Sequence, residues 1–260
     1  MGAAATLMLA PADGAASPEP SEHEAATDIE AMLWSMRLHN LRRYMHHRFW
    51  EDETRDALYA DRVEPGLKLE SVSAHSWHVA DGVLLLSEHF PQVNRGRCLE
   101  LATLHDKLEL ITGDYNPVGR DGLGTYTHAF NHAASLKKLH HEHQAAELYL
   151  NKLRPAARPY QRQLLEECWS GTSIESRFVK AVDKLQSFLF VHVKKNGLMH
   201  DRHIVFTLRY AAKTHRYFPA LKAHHDYVRS CFLDTIAARR RSRREELEQI
   251  LFGQFELDLE

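Results

Sequence analysis

The stretch TLHDKLELITGD, Thr103 to Asp114, sets a histidine and an aspartate side by side among apolar residues, with Glu109 and Asp114 close behind. Adjacent side chains on a helix diverge by about 100°, yet an imidazole and a shorter carboxylate can still converge on one ion. Glu109 follows His105 by four residues and Asp106 by three, which puts it on the same face one turn along. Two ligands do not close a metal site. His75, in SVSAHSWHVADGVLLL, and Asp183, in RFVKAVDKLQSF, are the best partners, because a polar side chain in an apolar setting is costly unless something satisfies it. Two histidines and two aspartates make a mixed nitrogen and oxygen set. It suits a divalent ion such as Mn, Fe, Co, Ni or Mg better than a structural zinc.

These residues need helices to hold them. Ile29, Leu33, Met36, Leu41 and Tyr44 recur near helical spacing. Further helices fit Ser73–Phe90, Asn94–Ile111 up to Gly113, His128–Leu153, the run RPAARPYQRQLLEECW, a long segment after Thr172, and two stretches over 199–213 and 218–250. Thr172 and Glu175 read as a capping box, and Gly197 as the C-terminal cap of that long helix. In this pattern Trp77 reads as core and His78 as surface. Strand alternation is nearly absent, so the expected class is all-α, a packed helical bundle. The expected organisation is a disordered tail over 1–26, the bundle over 27–236, and a basic then acidic helical extension over 237–260.

AHSWHVA, LHDKLELITGD and RFVKAVDKL, taken together, resemble the HD-domain phosphohydrolase superfamily, and within it the 5'-deoxynucleotidase branch, over roughly His75 to Gln186. That branch reads EHS, then HDxxE with a later GD, then a late K..D. The resemblance implies that His75, His105, Asp106 and Asp183 bind one divalent ion and that Glu109 is the acid/base. It implies that Asp114 contacts the sugar and that an arginine of the preceding helix meets the phosphate. Arg43 in LRRY takes that place, with Arg42, Arg48 and Arg62 left open. The implied reaction is hydrolysis of the 5'-phosphate of (deoxy)nucleoside monophosphates to nucleoside and phosphate, in a homodimer. The loop 114–126 would close over sugar and base on flexible glycines, with Arg120 as a second phosphate contact. Two positions depart from the pattern: Ala74 stands where Glu is usual, and Lys107 where a small or apolar residue is usual. Both bear on substrate preference. Two alternatives stay open: an HD hydrolase of another nucleotide such as a dNTP, and a weak or inactive HD scaffold serving as a structural subunit or assembly factor.

The totals bound the rest. The 260 residues are 44% hydrophobic and 26% charged, with a formal net charge of -2, so no global basic field points to nucleic acid. The five arginines between Arg239 and Arg244 are followed by glutamates, which favours a solvated helix with internal ion pairs. His140, His141 and His143 read as a solvent face rather than a second metal site. Cys98, Cys168 and Cys231 show no ligand spacing and suit a reducing, cytoplasmic setting. No run is long enough to span a bilayer, and no Lys or Arg precedes Arg37, unlike a secretory or mitochondrial leader. Gly2 and Thr6 match a loose N-myristoylation pattern.

Overall fold

A computed structural model describes residues 20–44 and 69–255. The Gly2–Thr6 pattern, Arg48 and Arg62 lie outside the described residues. Among those residues there are eleven α-helices and no strand. In chain order they are α1 (Glu22–Met36), α2 (Val72–Leu86), α3 (Arg95–Leu104), α4 (Glu109–Thr112), α5 (His132–Leu150) and α6 (Arg158–Ser170). After them come α7 (Ile174–Lys195), α8 (Asp201–Ala211), α9 (Lys213–Tyr217), α10 (Lys222–Arg240) and α11 (Arg244–Phe255). The class is all-α, as the spacing implies.

Helix α7 organises the molecule. Phe178, Val182, Leu185, Phe188 and Val191 recur every three or four residues, so one face stays apolar along its whole length. Its first half packs Phe178 and Val182 against Val79 and Val83 of α2, Leu101 of α3 and Tyr149 of α5. Its second half packs Phe188 against Ile204 and Leu208 of α8, Phe232 and Ile236 of α10, and Leu247 and Leu251 of α11. Burying each such side chain contributes about 1.5–3 kcal/mol. Asp183 sits where the two cores meet along α7, one residue after Val182.

Local chemistry sets the helix starts. Ser71 Oγ accepts the Ala74 N–H at 3.1 Å and begins α2 just ahead of His75. Asn94 and Asn131 cap α3 and α5 in the same way. The cap of α7 is Ser173 rather than Thr172: Ser173 Oγ accepts the Ser176 N–H at 3.0 Å. Glu175 instead accepts the Asn94 N–H at 3.1 Å, tying the start of α7 to that of α3. At the other end Asn196 is the left-handed cap, and Gly197 follows it in the same region.

Several expectations about element boundaries change. Helix α1 begins at Glu22 with a Ser21–Glu24 capping box, so the end of the expected tail is helical. The helix expected over Asn94–Ile111 breaks after Leu104. Lys107 N–H bonds Leu104 O at 3.0 Å and Glu109 N–H bonds Asp106 O at 3.1 Å, the tighter i to i+3 pattern. The helix expected over 218–250 breaks at Arg241, which has φ +54. The Ser242 N–H then bonds Ala237 O at 3.0 Å, and α11 turns back to bury Leu247 and Leu251. Ala237, Leu247 and Leu251 thus pack in the same core as α8 and α10. Trp77 is not core: it is 64% exposed, on the outer side of α2 from His75.

One antiparallel bridge joins Arg42 to Ser71. The Arg43 N–H bonds Glu70 O and the Val72 N–H bonds Leu41 O, each at 2.9 Å. This contact brings the Arg43–Tyr44 corner against the start of α2. No helix among the described residues is long and apolar enough to cross a membrane.

Candidate metal and nucleotide site

Four of the residues singled out from the sequence meet at one point. His75 Nε2 lies 3.2 Å from His105 Nε2, 3.3 Å from Asp106 Oδ2 and 3.2 Å from Asp183 Oδ1. His105 Nε2 is 3.3 Å from the same Asp106 oxygen. Helix α2 supplies His75, the tight turn after α3 supplies His105 and Asp106, and the middle of α7 supplies Asp183. The turn explains how neighbouring residues face the same way, which a straight helix would hinder.

Both imidazoles are held from behind. His75 Nδ1 donates to Gln186 Oε1 at 2.7 Å, and His105 Nδ1 donates to Ala102 O at 2.7 Å. Each ring therefore turns an Nε2 lone pair inward, as metal-binding histidines do. Gln186 is fixed in turn by Glu70 Oε1 at 2.8 Å, and His78 bonds that same oxygen at 3.0 Å. Two lone pairs and two carboxylate oxygens facing one another repel unless a cation lies among them. With only protons to play that part, His75 is pushed up to about 9: burial and Arg43 oppose its charge, and the Asp106 and Asp183 carboxylates outweigh them. The donor set, its tautomers and its negative charge fit a divalent ion, and His75, His105 and Asp106 offer ligand atoms all within 4.8 Å of one another.

Glu109 lies beside the cluster. Its Oε2 is buried and has no hydrogen-bond partner among the described residues. Burial, reinforced by Asp106 and Asp114, holds this carboxyl well above the usual carboxylate range. Asp114 Oδ2 accepts the Tyr44 N–H at 3.0 Å. Tyr44 is itself left-handed, with φ +69, and its ring stacks on Phe190 at 5.4 Å. Arg43 does reach the site, but it is already engaged: Nη1 is 2.8 Å from Glu70 Oε2 and Nη2 is 3.2 Å from Ser187 Oγ. Arg43, Tyr44, Asp106, Glu109, Asp114 and Asp183 line one cavity of about 100 Å³, with Phe206 and Tyr210 among its aromatic walls.

The loop after Asp114 differs from expectation. Asp121 Oδ1 accepts the N–H groups of Leu123 and Gly124, and Thr127 Oγ1 donates to Pro117 O at 2.6 Å. Gly124 has φ +73, and a Cβ there would fall 2.7 Å from Pro117 O. The glycines serve a tightly bonded turn rather than a flexible lid. Arg120 is exposed and lines none of the cavities at the cluster. The histidine run on α5 is also spoken for. His141 bonds Tyr115 OH at 2.8 Å, and His143 bonds Leu139 O and sets its ring, tilted, 4.1 Å from that of Trp169. The arginines after residue 238 make internal contacts, among them Arg240 with Asp201 at 2.6 Å and Arg244 with Asp234 at 3.2 Å.

Sequence reading missed Glu70, Gln186, Ser187, His128, Lys184 and Tyr210. Gln186 follows Asp183 by three residues on α7, so shared helical facing was a usable signal. Glu70 offered none, since it precedes the cap of α2. It nevertheless places a buried carboxylate behind the histidines in a chain that has Ala74 where its look-alikes have Glu. Lys107 turns away from the cluster and lays its ammonium over Tyr149, 5.2 Å from the ring centroid.

A family model described as HD domain matches residues 61–223, more than half of the chain and every residue of the four-ligand cluster. The chain belongs to the HD domain family. It is 32% identical over 123 residues to a 5'-deoxynucleotidase of Xenopus laevis, covering 47% of this chain and 54% of that one. It is 27% identical over 123 residues to a 5'-deoxynucleotidase of Schizosaccharomyces pombe, covering 46% and 55%. The chain thus spans about half the length of the curated relatives it matches. A solved structure from Magnetospirillum magnetotacticum, titled a predicted metal-dependent phosphohydrolase, shares the fold. Its TM-score is 0.59 at 19% identity, over 82% of this chain and 95% of that one.

Proposed function

We propose that this HD-domain protein hydrolyses the 5'-phosphate of nucleoside monophosphates, preferring deoxyribose, to nucleoside and inorganic phosphate. One observation carries the reading: two imidazole nitrogens and two carboxylate oxygens meet at one point beside a buried carboxyl with an unpartnered oxygen. His75, His105, Asp106 and Asp183 would hold a divalent ion. When bound, such an ion supplies Lewis acidity toward a phosphoryl oxygen and makes water acidic near neutral pH.

The chain's own groups would do the rest. Burial, with Asp106 and Asp114 close by, raises the Glu109 carboxyl, which favours its giving a proton to the departing O5'. Gln186 Oε1 and Ala102 O accept from Nδ1 of the two imidazoles and so aim each Nε2 at the ion. Arg43, anchored by Glu70, would meet phosphate oxygens and offset developing charge. Asp114 would accept a hydrogen bond from a sugar hydroxyl, with Phe206 and Tyr210 offering apolar faces nearby. The 5'-deoxynucleotidase relatives support this substrate class.

The test is a phosphate-release screen over 5'- and 3'-nucleotides with several divalent ions. Deoxynucleoside 5'-monophosphates should turn over fastest. Faster release from 3'-monophosphates, or triphosphate release from nucleoside triphosphates, would overturn the assignment.

The working unit is proposed to be a homodimer. Ile29, Met32, Leu33 and Met36 form an exposed apolar stripe on α1, each more than half accessible. Sedimentation that gives a monomer at micromolar concentration would remove this part. The three free cysteines support a reducing, cytoplasmic setting, which cell fractionation would check.

A further inference from the structure

A second cavity, of about 280 Å³, adjoins the first and shares with it Asp106, His128, Lys138, Asp183, Lys184 and Tyr210. Four lysines line it, since Lys180 and Lys213 join Lys138 and Lys184, beside the carboxylates of Asp106, Glu142 and Asp183. Two of the four are already compensated. Lys184 Nζ lies 2.6 Å from Asp183 Oδ2, and Lys138 pairs with Glu142. The other two are not. Lys180 Nζ donates to Trp169 O at 3.3 Å, and Lys213 Nζ donates to Ala129 O. Neither meets a carboxylate within ion-pair distance among the described residues.

Such ammoniums are costly when half-buried, since a carbonyl offers a dipole where a full charge is needed. The environment registers this: burial and Lys184 bring Lys213 down to about 8. The charges are also crowded. The Lys184 and Lys213 ammoniums lie 4.7 and 5.1 Å from the same Tyr210 ring centroid. Gly171, the left-handed residue that ends α6, leaves space for the Lys180 amine, which a Cβ would approach to 2.8 Å. His128, pushed down to about 3 by burial and by Lys138, stays neutral and keeps an N–H to donate.

We infer that this cavity is an inorganic-phosphate site in which Lys180 and Lys213 supply the two uncompensated charges and Lys138, Lys184 and Tyr210 supply further donors. Two unpaired cations match a phosphate dianion in charge, and the cluster of ammoniums, hydroxyl and imidazole N–H matches its four acceptor oxygens. Its place in the reaction rests on the hydrolytic reading. There, water oxygen joins phosphorus, the P–O5' bond breaks, O5' takes up a proton, and the phosphate so formed occupies this chamber while the nucleoside leaves by the first cavity.

The test uses the full chain and inorganic phosphate itself, at fixed ionic strength, by titration calorimetry. Wild type should bind one phosphate per chain. Lys180→Gln and Lys213→Gln should each weaken binding by about tenfold or more, the loss expected for a charge-assisted contact. Without phosphate their melting temperatures should equal or exceed that of wild type, because each removes an uncompensated charge. Lys180→Arg and Lys213→Arg should retain binding. Failure of wild type to bind phosphate, or unchanged affinity in the double Gln variant, would overturn the site. Loss of phosphate binding in both Gln and Arg variants, with lowered melting temperatures, would mark the lysines as structural and overturn it too. Lysine-dependent phosphate binding by a protein that hydrolyses no nucleotide would sink the hydrolytic reading and leave the site standing. Hydrolysis without such binding would do the reverse.

Discussion

At the scale of single residues the proposed roles separate binding from proton transfer. Glu109→Ala should keep metal content and nucleotide affinity near wild type while turnover falls by about two to four orders of magnitude. Calorimetry beside single-turnover kinetics checks both halves, and loss of the metal would make Glu109 a ligand instead. Asp183→Ala should strip the ion, read by elemental analysis of the dialysed protein; full occupancy in that variant would refute the ligand set. Gln186→Leu frees the His75 ring while leaving all four ligands, so metal affinity should fall by about 10–100-fold, the usual cost of losing an orienting partner. That His75, His105, Asp106 and Asp183 would cluster, with Glu109 beside them, was legible because each sits oddly among apolar neighbours. Glu70 was not, because it lies before a helix cap where no periodicity applies. Lys180 stands in the K..D motif, but Lys184 and Lys213 carried no signal in the sequence until the fold brought the three to one cavity.

At the scale of elements, helix existence was visible and helix ends were less so. Apolar spacing gave α2, α5 and α7 to within a few residues. It ran through the breaks after Leu104 and at Arg241, since both sides of each break carry apolar residues that fit one continuous helix. The break after Leu104 matters most, as it turns His105 and Asp106 inward together. The turn after Asp114 was read as loose because glycines suggest freedom, yet Gly119 is held by Asn116, and Gly124 by Asp121 and Thr127. Gly124→Ala should therefore destabilise rather than rigidify, by more than about 1 kcal/mol, measured as a lowered denaturant midpoint. Leu251→Ala should cost about 2–5 kcal/mol if α11 is part of the core. A change under about 0.5 kcal/mol would return residues after 237 to the status of an appendage.

At the scale of the molecule, α2, the turn after α3, and α7 each bring a side chain to the proposed ion site, which would link binding to folding. Only the folded chain assembles the four proposed ligands. Saturation at about a hundredfold over the dissociation constant adds about 2.7 kcal/mol, or about 5–10 °C in melting temperature for a domain of this size. Chelation should lower the melting temperature by that order, and restoring the ion should recover it. A melt indifferent to chelator would mean that the cluster holds no ion in the purified protein. The bridge between Arg42 and Ser71 carries a consequence of a different kind. It ties the Arg43–Tyr44 corner to the start of α2 by backbone pairing, and the Arg43–Glu70 ion pair at 2.8 Å closes the same contact through side chains. Any change that loosens the start of α2 is thus passed to Arg43 through both contacts at once.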